Sequence, residues 1–257
     1  MTSSVTEWAA RLDTAATERT PVGPLTGDGL DGVETAYRVQ SELVQLRVAR
    51  GERVVGGKLG LTSKAKQRAM GVDKPLYGLV TAGMLRASGT RLPLAELIHP
   101  RVEPEIAFVL GEALEGPDVT VADVLAATKY VCPGLDVIDS RYEGFAFKHL
   151  DAIADNASSA VFALGDDFTP PPADLTLTGC VLEVDGQVIE SAAGAAVMGH
   201  PAAAVAFMAN QLALRGGRLE AGWAVLSGGL TAPVALKPGS TVTATISGLG
   251  SVTLGAE

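Results

Sequence analysis

A chain of 257 residues, 47% of them hydrophobic, is long enough to bury one sizeable core and too apolar to be extensively disordered. Its 29 acidic side chains outnumber the 20 basic ones and no long Lys/Arg run occurs, which argues against nucleic acid as a partner. An anionic substrate stays open, because a metal ion inverts the local field.

The chain starts MTSSVTEWAARLDTAATERT, without the basic start and apolar run of a signal peptide. No later stretch approaches the length of a membrane span, and two cysteines, Cys132 and Cys180, are too few for a disulfide framework. A cytoplasmic protein with no membrane contact is expected. In the first segment Val5, Trp8, Ala9 and Leu12 recur at helical intervals behind Ser and Thr caps. PVGPLTGDGLD (21–31) is a loop. A second helix follows, with Val33, Ala36, Tyr37, Leu43, Leu46 and Val48 mostly on one side and Gly51 as its stop. RVVGGKLGLTS (53–63) reads as a short strand, SKAKQRAMGV as a short helix from Ser63, and DKPLYG (73–78) as a turn.

From about residue 96 strands dominate, at 102–110, 130–138, 159–164, 177–184, 223–227 and 240–254, with helices around 121–129 and 199–216. The pattern predicts an α+β fold: a helical N-terminal part over 1–95 and a strand-rich core over 96–257, in one unit.

HPRVEPEIAFVLGE (99–112) is a strand with an unusual face. Glu103 and Glu105 share it with Ala107 and Val109, because side chains alternate with period two. Two carboxylates about 6–7 Å apart along a strand repel unless a positive group lies between them. Their hard oxygens suit Mg²⁺, Mn²⁺ or Ca²⁺ rather than zinc. A second acidic strand, YVCPGLDVIDSRY (130–142), embeds Asp136 among apolar residues and offers a third ligand. Asp139 and Arg141 follow, either as an ion pair or with Arg141 orienting a carboxylate. An ordinary solvated strand face remains the rival reading, as does an acidic domain that binds Ca²⁺ only for stability.

GGKLGLTS (56–63), MGVDKPLYG (70–78), PRVEPEIAFVL (100–110), DVIDSRY (136–142), IADNASS (153–159), GHPAAAVAFMANQL (199–212) and GGLTAPV (228–234) occur in one order. Together they resemble the hydratase/decarboxylase branch of the fumarylacetoacetate hydrolase superfamily, enzymes of the meta-cleavage catabolism of aromatics. The resemblance implies a mixed β-sheet roll of the fumarylacetoacetase C-terminal-domain type, in which Glu103, Glu105 and Asp136 hold Mg²⁺ or Mn²⁺. Asp136 departs from the family, which usually has Glu there.

The implied substrate is a small 2-oxo acid. The favoured reaction is decarboxylation of 2-oxohex-3-enedioate (4-oxalocrotonate) to a 2-hydroxy-2,4-dienoate, through a dienolate whose charge the metal offsets. Hydration of 2-hydroxypenta-2,4-dienoate is the alternative, and C–C hydrolysis of the acylpyruvase type a second. Hydratases carry an acid in the turn where this chain has Leu76, which cannot carry a proton, and this favours decarboxylation. The resemblance puts Lys58 beside the substrate oxygens, adding positive charge or moving a proton, with its pKa lowered by burial near the metal. It sets Asp155 and Ser158 near Lys58, assigns Arg141 to the substrate, and has Gly228, Gly229 and Thr231 offering N–H groups and a hydroxyl to the substrate carboxylate. His200, His149 and His99 are read as structural. A homo-oligomer is expected, with a neighbouring hydratase of the same pathway as a further partner.

Overall fold

Ser4 opens helix α1 (Val5–Glu18) by accepting the Glu7 N–H while the Glu7 carboxylate returns to the Ser4 N–H, a reciprocal cap that satisfies two backbone donors. Trp8, Ala9, Leu12 and Ala15 form its buried stripe, and it packs on α2 (Val33–Ala49). The computed structural model describes residues 4–257, so the first three residues of the expected N-terminal part lie outside it. Among the described residues no helix is long and apolar enough to cross a membrane.

The remaining elements are β1 (Val54–Gly60), α3 (Lys64–Met70), β2 (Leu76–Thr81), β3 (Leu85–Ala87), β4 (Arg91–Leu92), β5 (Arg101–Leu110), α4 (Val121–Ala127), β6 (Thr128–Ile138), α5 (His149–Ala154), β7 (Ser159–Leu164), β8 (Gly179–Val184), β9 (Gln187–Ala193), α6 (Pro201–Ala213), β10 (Ala224–Leu226), β11 (Val234–Ala235), β12 (Thr241–Ile246) and β13 (Gly250–Ala256). His200 caps α6, its ring Nδ1 accepting the Ala202 N–H ahead of Pro201, in line with a structural role.

The strands form two mixed sheets. The larger has the order β2-β1-β10-β5-β6-β7-β3, with β11 also on β5; the smaller runs β4-β13-β12-β8-β9. One apolar cluster ties α1, α2 and α6 to the larger sheet through residues such as Leu12, Leu43, Phe108, Val205 and Met208. A second fills the space between the sheets, with Leu135, Val137, Leu182, Val242 and Leu254. The α+β architecture with a helical N-terminal part is thus present.

Two details differ from the expected pattern. The stretch 240–254 is a hairpin rather than one strand, because Gly248 and Gly250 take left-handed φ of 74° and 98° and reverse the chain. The expected turn over 73–78 runs into strand β2 from Leu76, which pairs antiparallel with β1, and β1 runs parallel to β10 from the far end of the chain.

Candidate active site

Strand register assembles the acidic cluster. β6 runs antiparallel to β5 with Asp136 directly opposite Glu103 and Gly134 opposite Glu105, and directly opposed residues share a sheet face. One oxygen from each of Glu103, Glu105 and Asp136 lies within 4.8 Å of the others, and all three side chains are buried. Only β10 lies between β1 and β5, and Lys58, Leu226 and Ala107 stand in one row across the three strands. Lys58 therefore projects from the same face as the glutamates. Its Nζ lies 2.7 Å from Asp136 Oδ2 and donates to the Ala157 carbonyl at 2.8 Å.

Glu105 is fully buried, and its Oε2 accepts the Gly228 N–H at 2.6 Å. Gly228 has φ of 107°, and a Cβ there would also strike the Thr62 side chain, so only glycine brings this N–H to the carboxylate. Glu105 Oε1 has no hydrogen-bond partner. Asp136 Oδ2 meets the Lys58 ammonium at 2.7 Å. A buried oxygen left like Glu105 Oε1 is costly unless a ligand takes it up. Three buried hard carboxylates, one of them with an unpartnered oxygen, fit a divalent cation with oxygen preference.

Burial, then the negative neighbours Asp136 and Glu103, hold the Glu105 carboxyl well above the usual range. Burial also raises Asp136, against the pull of Lys58. Around Lys58 the protein's own groups work in opposite directions. Burial does oppose the ammonium, but Asp136, Glu105 and Glu103 together outweigh it and the pKa rises.

A cavity of about 400 Å³ opens beside the cluster. Lys58, Glu103, Ser158 and Gly229 reach it, and Leu76, Phe145 and Phe147 contribute to its apolar wall. Leu76, expected at the substrate, thus lines this cavity. Lys66, which the sequence reading passed over, lies at the same wall: its Nζ donates to Glu103 Oε1 at 2.5 Å and to the Gly229 carbonyl at 3.2 Å. No signal in the sequence distinguishes it from a surface lysine of a short helix.

Three expected site residues lie elsewhere. The Arg141 guanidinium is consumed by the Asp155 carboxylate and by the carbonyls of Asp139, Asp155 and Ser159, and it borders a separate cleft. It orients a carboxylate, the second of the two readings. Asp139 pairs instead with the N–H groups of Ile98 and His99. Asp155 does not line the cavity either; it stands behind Ser158, whose hydroxyl donates to it at 3.0 Å. Burial pushes the Asp155 carboxyl up to about 6 against the pull of Arg141 and Ser158. Thr231 is also off the cavity, its hydroxyl donating to the Ala232 carbonyl at 3.1 Å, and the Gly228 N–H is spent on Glu105. What Arg141 and Asp155 do is hold the segment 156–158, where Asn156, Ala157 and Ser158 all take left-handed φ near 50–56°. That conformation is uncommon for residues with a Cβ. It brings the Ala157 carbonyl to Lys58 and Ser158 to the cavity.

Comparison with known proteins agrees with this geometry. Residues 56–254 match the family model for the fumarylacetoacetate (FAA) hydrolase C-terminal domain. The chain is 46% identical over 218 residues to a 4-oxalocrotonate decarboxylase of Pseudomonas sp. (strain CF600), covering 84% of this chain and 83% of that one. It is 45% identical over 211 residues to a 2-hydroxypent-2,4-dienoate hydratase of Pseudomonas putida, covering 81% and 95%. Among solved structures, the 4-oxalocrotonate decarboxylase from Pseudomonas putida G7 complexed with magnesium and adipate superposes with a TM-score of 0.95 at 41% identity, over 98% of this chain and 97% of that one.

Proposed function

The chain belongs to the fumarylacetoacetate hydrolase family, and on that premise we propose that it decarboxylates 2-oxohex-3-enedioate (4-oxalocrotonate) or a close analogue. It is a lyase. The observation that carries the reading is one cavity lined by Lys58 and by Glu103 of the carboxylate cluster, whose wall at position 76 is a buried leucine. The magnesium and adipate bound by the solved decarboxylase support it, adipate being a six-carbon diacid like the proposed substrate. Hydration of 2-hydroxypenta-2,4-dienoate is the second reading, favoured by hydratase relatives of nearly equal identity.

Glu103, Glu105 and Asp136 would hold Mg²⁺ or Mn²⁺, which when bound supplies positive charge at the C1 carboxylate and C2 oxygen of a 2-oxo acid. Lys58 adds a second fixed charge and an N–H donor at the same end, aimed at the oxygen where negative charge grows. In decarboxylation the C5–C6 bond breaks and its electron pair forms C4=C5. The C3=C4 pair moves to C2=C3, and the C2 carbonyl pair goes to oxygen, which takes up one proton; CO₂ leaves. Nothing on C5 need be protonated, so a wall without an acid at Leu76 suits this reaction. Water addition to a dienoate does require a proton on carbon. Ser158, fixed by Asp155, offers a hydroxyl at the wall that Lys58 also touches.

The test is to supply 2-oxohex-3-enedioate with Mg²⁺ and follow CO₂, and in parallel to supply 2-hydroxypenta-2,4-dienoate and follow loss of the diene absorbance. Rapid CO₂ release with slow hydration supports the proposal. Rapid hydration with the diacid untouched replaces it by the hydratase reading.

A further inference from the structure

Four charged residues at the cavity, Lys58, Lys66, Glu103 and Arg101, divide into two kinds. Lys58 faces Asp136, and Lys66 faces Glu103. Arg101 has no carboxylate or carbonyl partner among the described residues, although it borders the same cavity. Its guanidinium lies 4.0 Å over the Phe145 ring, and the His99 ring also packs against Phe145 at 4.6 Å. Stacking fixes the guanidinium plane and leaves its N–H edge unused.

Position supplies the rest. Arg101, Glu103 and Glu105 alternate onto one face of β5, so Arg101 begins about 6–7 Å beyond Glu103 on the side away from Glu105. The terminal carbons of an extended six-carbon diacid are separated by five carbon–carbon bonds, about 6 Å. Lys66 stands at the same wall with two of its three N–H donors spent on Glu103 and Gly229, leaving one.

Charge agrees as well. Three carboxylates against two lysines leave one negative charge, which a divalent cation converts to one positive. Arg101 makes it two, the complement of a dianion and an excess for a monoanion.

We infer that Arg101, with the remaining Lys66 donor, forms a second anion subsite that reads the distal carboxylate of a dicarboxylate 2-oxo acid. The inference rests on the 2-oxo acid reading above and adds the residue that selects a diacid over a monoacid. A planar fork held by an aromatic face suits a carboxylate better than a mobile ammonium does. Because the contact is made before the C5–C6 bond breaks and is lost with CO₂, it strengthens binding and does not lower the barrier.

The test uses 2-oxoadipate and 2-oxohexanoate, which match in length and differ by the distal carboxylate. Both lack the double bond that makes the acid decarboxylate. Calorimetric Kd values are measured in Mg²⁺-loaded protein. Wild type is expected to prefer the diacid by roughly tenfold to a hundredfold, the worth of one charge-assisted contact. Arg101→Met should erase most of that preference while leaving 2-oxohexanoate binding and the Mg²⁺-induced melting shift unchanged. Arg101→Lys should restore part of it. In turnover of 2-oxohex-3-enedioate, Arg101→Met should raise KM and leave kcat equal or higher. A wild type that binds both acids equally, or an Arg101→Met protein that keeps the preference, overturns the subsite alone. Binding of neither acid overturns the 2-oxo acid reading beneath it.

Discussion

Replacing Glu105 by Gln removes one negative charge from the buried cluster and keeps its volume. In the metal-free protein the change should cost nothing in stability: burial and two acidic neighbours already disfavour the charged carboxylate, and an amide still accepts the Gly228 N–H. Toward a divalent cation the cost is large, because one of three anionic ligands is gone. Loss of even an outer partner weakens a metal site by about 10–100-fold, so a hundredfold rise in Kd is a conservative figure. At a Mg²⁺ concentration of about 100 Kd, binding stabilises wild type by roughly 2.7 kcal/mol. With about 2–4 °C per kcal/mol for a chain of this size, Tm should rise by roughly 5–11 °C. At the same Mg²⁺ concentration the variant stands near its own Kd, gains about 0.4 kcal/mol, and should move by only about 1–2 °C. Differential scanning fluorimetry with and without Mg²⁺, on both proteins, reads this directly. Equal shifts in the two proteins would remove Glu105 from the metal site.

Lys58→Met keeps most of the stem and removes a charge aimed at the substrate end. It should lower kcat by more than an order of magnitude with a modest change in Tm; an unchanged kcat with a lower Tm would make Lys58 a packing residue. Leu76→Asp should depress CO₂ release, since its carboxylate repels the distal charge of the substrate and wets an apolar wall. A trace of dienoate hydration is expected, as general acid–base help is worth roughly 10²–10⁴-fold when well placed; undiminished decarboxylation would detach Leu76 from the reaction. Arg141→Met leaves Asp155 buried without its partner and should cost about 3–5 kcal/mol, or roughly 6–20 °C in Tm. Arg141→Met with Asp155→Leu should recover much of that without recovering activity. A single variant of native Tm and raised KM would instead return Arg141 to the substrate.

The acidic cluster was legible in the sequence because it violates a rule that strands otherwise obey. Carboxylates seldom share a face with Ala107 and Val109, and alternation alone ties Glu103 to Glu105. Asp136 stood out for the same reason, and the register that puts it opposite Glu103 supplies what spacing lacked. Lys66 and Arg101 were hidden by their ordinariness. A lysine on a seven-residue helix looks solvated until α3 is seen to lean over Glu103, and an arginine ahead of a strand looks like an edge charge. Arg141 misled through proximity in sequence: Asp139 is two residues away, but the carboxylate partner is Asp155, fourteen residues on at the end of α5. The strand break inside 240–254 was passed over because both halves have high β content, while the reversal rests on two glycines.

The neighbour that β1 acquires in β10 has a consequence during synthesis. Lys58 leaves the ribosome early, yet the strand that packs along it, and the Gly228 N–H that fixes Glu105, belong to the last fifth of the chain. At about 5–20 residues per second the gap lasts roughly ten to thirty seconds. For that time the N-terminal segment holds a lysine meant for burial and a strand with one open edge, the condition under which nascent chains recruit helpers or stick to one another. A chain stopped near residue 220 would contain the three carboxylates of the cluster, but Glu105 would lack the Gly228 N–H that holds it.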